Sequence, residues 1–153
     1  MPESLDLPDV SLALMVALNT LVTAIAVLVH FRGLSLLNRY IPRLGIPHHF
    51  RIVVGVGGAM LAHMVEVWLF GVVYYWMNAS PYWGHLAGNF SGTLLDCVYF
   101  SLTTYTTVGF GDIEPFGPIR FLCGIEALTG LVLITWSASF LFLEMQRSWK
   151  PGR

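Results

Sequence analysis

Residues 106–112 read TTVGFGD, a run of small residues and glycines interrupted by one aromatic ring and closed by a carboxylate. The run lies between two strongly apolar stretches. Non-helical backbone at membrane depth persists only where protein buries it or where it lines a watery cavity. Gly109 and Gly111 occupy alternate positions and accept backbone angles that side chains disfavour. Successive carbonyls can then face one side, instead of alternating as in a strand. A column of such oxygens can replace the water shell of a cation. Other chemically capable residues are few. His63, Glu66 and Glu126 fall inside apolar stretches, where ionisable groups are costly and usually face protein or water. His63 precedes Glu66 by one helical turn and shares its face. Cys97 and Cys123 stand in apolar surroundings without metal-ligand spacing and read as reduced packing residues. No Ser-His-Asp set, Cys/His cluster or phosphate-binding glycine loop presents itself.

The elements that must hold the glycine run follow from composition. Of 153 residues, 56% are hydrophobic and 11% charged, against about a quarter charged in a soluble domain. This is the composition of a membrane protein. A spanning helix needs roughly 20 mostly apolar residues. Three stretches qualify: Val10–Phe31, Ile52–Met77 and Pro118 to about Met145. The first follows Glu3, Asp6 and Asp9 rather than the basic residues of a cleaved leader, and is expected to be retained. Thr93–Thr104 is too short to cross and fits a re-entrant helix. Thr93 with Asp96 three residues on resembles a helix start, the carboxylate complementing the positive helix end.

Arg32, Arg39, Arg43 and Arg51 lie between the first two spans, and Arg147, Lys150 and Arg153 follow the third. The positive-inside rule makes both regions cytoplasmic. The N-terminus and the loop from Asn78 to Gly92, which lacks Lys and Arg, are then outside the plasma membrane. The segment GLSLLNRYIPRL is expected to lie on the inner surface as an amphipathic helix; a loop interrupted by Pro42 and Pro47 is the simpler alternative. No span repeats basic residues every third position, as a voltage sensor would. Trp68, Trp76, Trp83, Trp136 and Trp149 mostly fall where tryptophan anchors interfaces.

Thr-Val-Gly-Phe-Gly-Asp, after a short helix and before a third span, resembles the selectivity filter of potassium channels. The resemblance extends over an outer helix, pore helix, filter and inner helix, roughly Ile52 to Met145. It implies an all-α membrane protein with three transmembrane helices, a re-entrant pore helix and a filter loop per chain. Residues 1–51 then form an additional span with its linker, and residues 52–153 the pore domain. It also implies a homotetramer in the lipid bilayer that conducts K+ passively, without covalent chemistry, cofactor or nucleic-acid partner. Carried over, the carbonyls of Thr107, Val108, Gly109 and Phe110 would ligate K+, with the Thr107 hydroxyl innermost. Thr106, Gly111, Asp112, Thr103, Thr104, Tyr99 and Phe100 would support them, the tyrosine and phenylalanine as an aromatic cuff. Phe110 replaces the commoner tyrosine, and Thr103 stands where some relatives place a glutamate that pairs with the filter aspartate.

Glu66 and Glu126 reach similar depth at about 1.5 Å per residue. With His63 they could meet each other, or the hydroxyls of Ser101, Thr103 and Thr104, as a polar cluster bracing the filter. A proton-sensing gate and separately satisfied side chains are the other readings. Gly130, in EALTG, resembles a flexible point of the inner helix; close helix packing is its alternative. Ile134, Thr135, Ala138, Ser139 and Phe142 are candidates to line an inner cavity. Three alternatives remain: a weakly selective cation pore, an intramembrane enzyme or metal-binding protein using His63, Glu66 and the His48-His49 pair, and a non-conducting regulatory subunit. A nucleotide- or calcium-binding regulator is expected to be a separate protein.

Overall fold

The computed structural model describes residues 12–149, the side chains of His48, His49 and residues 147–149 excepted. The acidic N-terminal residues, the His48-His49 pair, the side chains of Arg147 and Trp149, Lys150 and Arg153 therefore lie outside the description. Helix α1 runs over Leu12–Tyr40 and closes in a 3-10 turn at Ile41–Arg43. Helix α2 spans His48–Asn78, strand β1 His85–Gly88, helix α3 Leu94–Tyr105, strand β2 Ile113–Phe116 and helix α4 Ile119–Trp149. Three helical segments, Leu12–Arg43, Phe50–Asn78 and Ile119–Gln146, are long and apolar enough to cross a membrane. The chain is a mostly helical, multi-pass membrane protein.

Each long helix is apolar on all sides, so one narrow stripe, rather than amphipathicity, decides its inward face. On α1 that stripe is Asn19, Val22, Ala26, His30 and Leu34, at helical spacing. It carries α1 past Gly33 without interruption. The segment from Leu34 to Tyr40, expected to lie separately along the membrane surface, is instead the last part of α1, with Leu34 and Ile41 buried. Burial against the neighbouring helices outweighs the cost of one mid-helix glycine, about 1 kcal/mol. The turn into α2 is held by Arg51, whose Nε donates to the Ile46 carbonyl at 3.3 Å.

Helix α3 begins at a reciprocal cap. The Asp96 amide donates to Thr93 Oγ1 at 3.1 Å, and Asp96 Oδ2 accepts from the Thr93 amide at 3.2 Å. The helix is clasped between α2 and α4 at two glycines. A Cβ on Gly71 would come within 2.9 Å of Val98 Cα, and one on Gly130 within 2.0 Å of the Tyr105 carbonyl oxygen. Small residues thus let the two long helices approach the α3 backbone directly. Around them Phe70, Tyr74, Cys97, Phe100 and Leu122 form the core.

The two-stranded sheet of β1 and β2 is an addition to the helical plan. The strands pair antiparallel, with His85 opposite Phe116 and Gly88 opposite Ile113. Four residues each are too few to show an alternating pattern in sequence, and Pro115 removes one ladder donor. The strand pair ties the connection after α2 to the chain that leaves the glycine run. The Asn89 amide donates to the Asp112 carbonyl at 2.8 Å, and the Ile119 amide to the Trp83 carbonyl at 2.8 Å. Trp83, expected at an interface, is buried here, its ring 5.8 Å from that of Trp76.

Candidate functional site

The glycine run leaves the C-terminal end of α3 at Thr106. The Thr106 hydroxyl turns back to the Leu102 carbonyl at 2.7 Å, and the Thr107 amide donates to the Thr104 carbonyl at 2.9 Å. The Gly109 amide donates to the Thr103 carbonyl at 3.1 Å. Beyond the helix the backbone changes hand at every second residue: φ is +59° at Thr107, +53° at Gly109 and +74° at Gly111, but not positive at Val108 or Phe110. A left-handed threonine is unusual and strained. The glycines extend the same alternation without that cost. The far end is secured by Tyr99, whose hydroxyl donates to Asp112 Oδ2 at 3.0 Å. That bond stabilises the neutral phenol and raises the Tyr99 pKa. The run itself is bare in the single chain, with Val108 54% and Phe110 70% exposed.

Behind it, the polar groups separate into two clusters rather than one. Glu126 is buried on α4 and accepts from Ser101 Oγ and from the Tyr74 hydroxyl, each at 2.5 Å. Glu66, buried on α2, accepts from the Tyr105 hydroxyl. His63 Nδ1 lies 3.2 Å from Glu66 Oε2 and 2.9 Å from the Tyr105 oxygen. No direct hydrogen bond joins Glu66 to Glu126 among the described residues; each carboxylate has its own partners. Ser101 meets Glu126 as expected. Thr103 and Thr104 reach neither carboxylate. The Thr103 hydroxyl donates to the Phe100 carbonyl at 3.0 Å, and Thr104 Oγ1 lies 3.8 Å from Cys123 Sγ. Phe100 packs edge-on to Tyr74 at 5.0 Å.

His30 on α1 is the member that sequence reasoning missed. Its Nδ1 lies 2.9 Å from Glu66 Oε1, and it is fully buried. Ser137 on α4 completes the group, with Oγ 3.3 Å from His30 Nε2 and 3.0 Å from His63 Nε2. The Glu66 cluster therefore joins α1, α2, α4 and the last residue of α3. A histidine in an otherwise apolar span was the available signal. Gly130 sits inside continuous helix, directly against the Tyr105 carbonyl.

A family model described as "Ion channel" matches residues 62–147, more than half of the chain. The chain belongs to this ion channel family. The matched region includes the C-terminal part of α2 from Ala62, α3, the glycine run and all but the last two residues of α4; α1 lies outside it. The channel is 33% identical over 57 residues to the inward rectifier potassium channel Kirbac3.1 of Paramagnetospirillum magnetotacticum, covering 37% of this chain and 19% of that protein. It is 45% identical over 40 residues to the potassium channel protein kcv of Paramecium bursaria Chlorella virus 1, covering 26% of this chain and 43% of the viral one. The chain thus spans less than half the length of either relative. No solved structure matches it. The channel resemblance read from TTVGFGD is upheld at the level of the family.

Proposed function

We propose that four copies of this chain surround one axis and conduct K+ selectively through the carbonyls of Thr107, Val108, Gly109 and Phe110. The observation that carries the reading is the alternation of backbone hand at Thr107, Gly109 and Gly111 on an exposed segment. Alternating hand turns successive carbonyls toward the same side, and rings of backbone carbonyls can replace the hydration shell of K+. One chain offers one such column and cannot enclose an ion. The exposure of Val108 and Phe110 in the single chain fits a segment covered by neighbouring copies. The C-terminal end of α3 at Thr103 and Thr104 adds a partial negative charge beside the column. The similarity to two proteins named as potassium channels supports the choice of ion.

In this reading residues 52–153 carry the pore, and α1 with its linker forms an additional layer. Tyr99, Phe100, Thr106, Gly111 and Asp112 support the column. His63, Glu66 and Glu126 brace it from behind, and Gly130 sets the contact between α3 and α4. Ile134, Thr135, Ala138, Ser139 and Phe142, all outside the core of the single chain, line the inner cavity. The arginines near the junction of α1 and α2 favour a cytoplasmic position for that junction and, across three spans, for the C-terminus. Planar-bilayer recording of the purified protein in opposed K+ and Na+ solutions tests the reading. The reversal potential is expected to follow the K+ gradient. A reversal near zero in equimolar K+ and Na+ would establish a weakly selective cation pore instead. An assembly incompatible with fourfold closure, by mass measurement in native detergent, would remove the proposed pore.

A further inference from the structure

We propose that His30, His63 and Glu66 form a binding site for one first-row divalent transition-metal ion of the zinc class, built between α1, α2 and α4. One donor atom from each residue lies within 4.8 Å of the others. Both imidazoles turn Nδ1 toward the same carboxylate, His30 at 2.9 Å from Oε1 and His63 at 3.2 Å from Oε2. A tetrahedral zinc site places nitrogen and oxygen ligands about 2.0–2.2 Å from the ion, and therefore about 3.3–3.6 Å from one another. The carboxylate–imidazole separations already approach that spacing. The Tyr105 oxygen, 2.9 Å from His63 Nδ1 and hydrogen-bonded to Glu66, stands where a fourth donor or a metal-bound water would be held.

The outward sides of the two rings point to the same chemistry. A ligating histidine almost always gives its other ring N–H to an acceptor that fixes the tautomer. Here both Nε2 atoms face one acceptor, Ser137 Oγ, at 3.3 and 3.0 Å. A hydroxyl has two lone pairs and a single hydrogen. With a cation on the Nδ1 side, both Nε2–H groups donate to Ser137 and every ring nitrogen is satisfied. Two imidazoles and one carboxylate suit zinc better than calcium or magnesium, which prefer all-oxygen sites. His30 and Glu66 are closed to solvent, while His63 keeps 19% of its side chain accessible, an edge through which an ion can enter. Because the Tyr105 hydroxyl touches two of the ligands, an ion here would also bear on the residue from which the glycine run departs.

The test is metal binding by the purified full-length chain, stripped with a chelator and titrated with Zn2+ or with Co2+ as a visible probe. One ion per chain is expected, with four-coordinate Co2+ absorption bands that Zn2+ abolishes. His30→Ala and His63→Ala are each expected to weaken zinc binding by at least about tenfold, and Ser137→Ala by about tenfold. The His48→Ala/His49→Ala double variant is expected to bind as the parent does. Unchanged affinity in the His30 and His63 variants, or loss confined to the His48/His49 variant, would overturn the proposal. Since removing a buried histidine can itself unfold the chain, X-ray absorption of the zinc-loaded parent supplies the second measurement. Two imidazoles and an oxygen ligand are expected; one imidazole or none would overturn the assignment.

Discussion

Replacing Gly130 by alanine tests the close approach that seats the short helix. The new Cβ would lie 2.0 Å from the Tyr105 carbonyl oxygen, 2.8 Å from its carbonyl carbon and 3.0 Å from its ring Cγ. Even a weak C–H···O contact needs about 3.3 Å, so the two helices must part by more than about 1 Å. Rotation of a side chain cannot relieve the clash, because the obstructing atoms are backbone at the end of α3. Tyr105 is further held by its bond to Glu66. Overpacking of this kind costs about 1–3 kcal/mol, and removing a helical glycine returns about 1 kcal/mol. Gly130→Ala should therefore destabilise each chain by up to about 2 kcal/mol and displace the start of the glycine run. Gly124→Ala, on the same helix, meets nothing within 4 Å and should be neutral or slightly stabilising. Denaturant-induced unfolding in detergent, paired with single-channel recording, compares the two. If Gly130→Ala matches Gly124→Ala in both, α4 does not pack on Tyr105 in this way.

Tyr99→Phe removes the bond to Asp112 and should cost about 0.5–1.5 kcal/mol locally. Its expected sign is altered open-state lifetime with intact assembly, and unaltered gating would show that this bond does not hold the far end of the run. Thr93→Ala deletes half of the α3 cap and should cost about 1 kcal/mol in thermal unfolding. Asp96, in the same cap, has a pKa lowered chiefly by the backbone bond from Thr93. A depressed carboxyl contributes stability above its ordinary value of 3.8 and loses it as the pH falls through the lower folded value. The acid limb of the stability profile should thus flatten in Asp96→Asn, and an unchanged limb would refute the assignment. Glu126→Gln keeps one acceptor for two donors, Ser101 and Tyr74, and should cost about 1–3 kcal/mol. Equal thermal stability of that variant would discard bracing by Glu126.

What could be read from the chain was local. Three apolar runs gave three spans because the bilayer sets a length requirement that needs no partner. Thr93 and Asp96 announced the start of α3 because a cap is made within one turn of backbone. TTVGFGD announced its unusual backbone through glycines at alternate positions, and the structure adds Thr107 as a third left-handed residue.

The tertiary structure decided what lies beside what. Helices apolar on all sides carry no mark of which stripe faces inward, so neither the burial of His30 nor its approach to Glu66 was legible. Depth along the membrane suggested that Glu66 and Glu126 could meet, but depth ignores rotation about the helix axis. Their faces turn to different neighbours: Tyr105 and two histidines for one, Ser101 and Tyr74 for the other. The continuation of α1 to Tyr40 and the pairing of two four-residue strands likewise depended on distant segments. Sequence sets backbone chemistry within a turn or two; the azimuth of each helix is set only when close-packed neighbours compete for the same space.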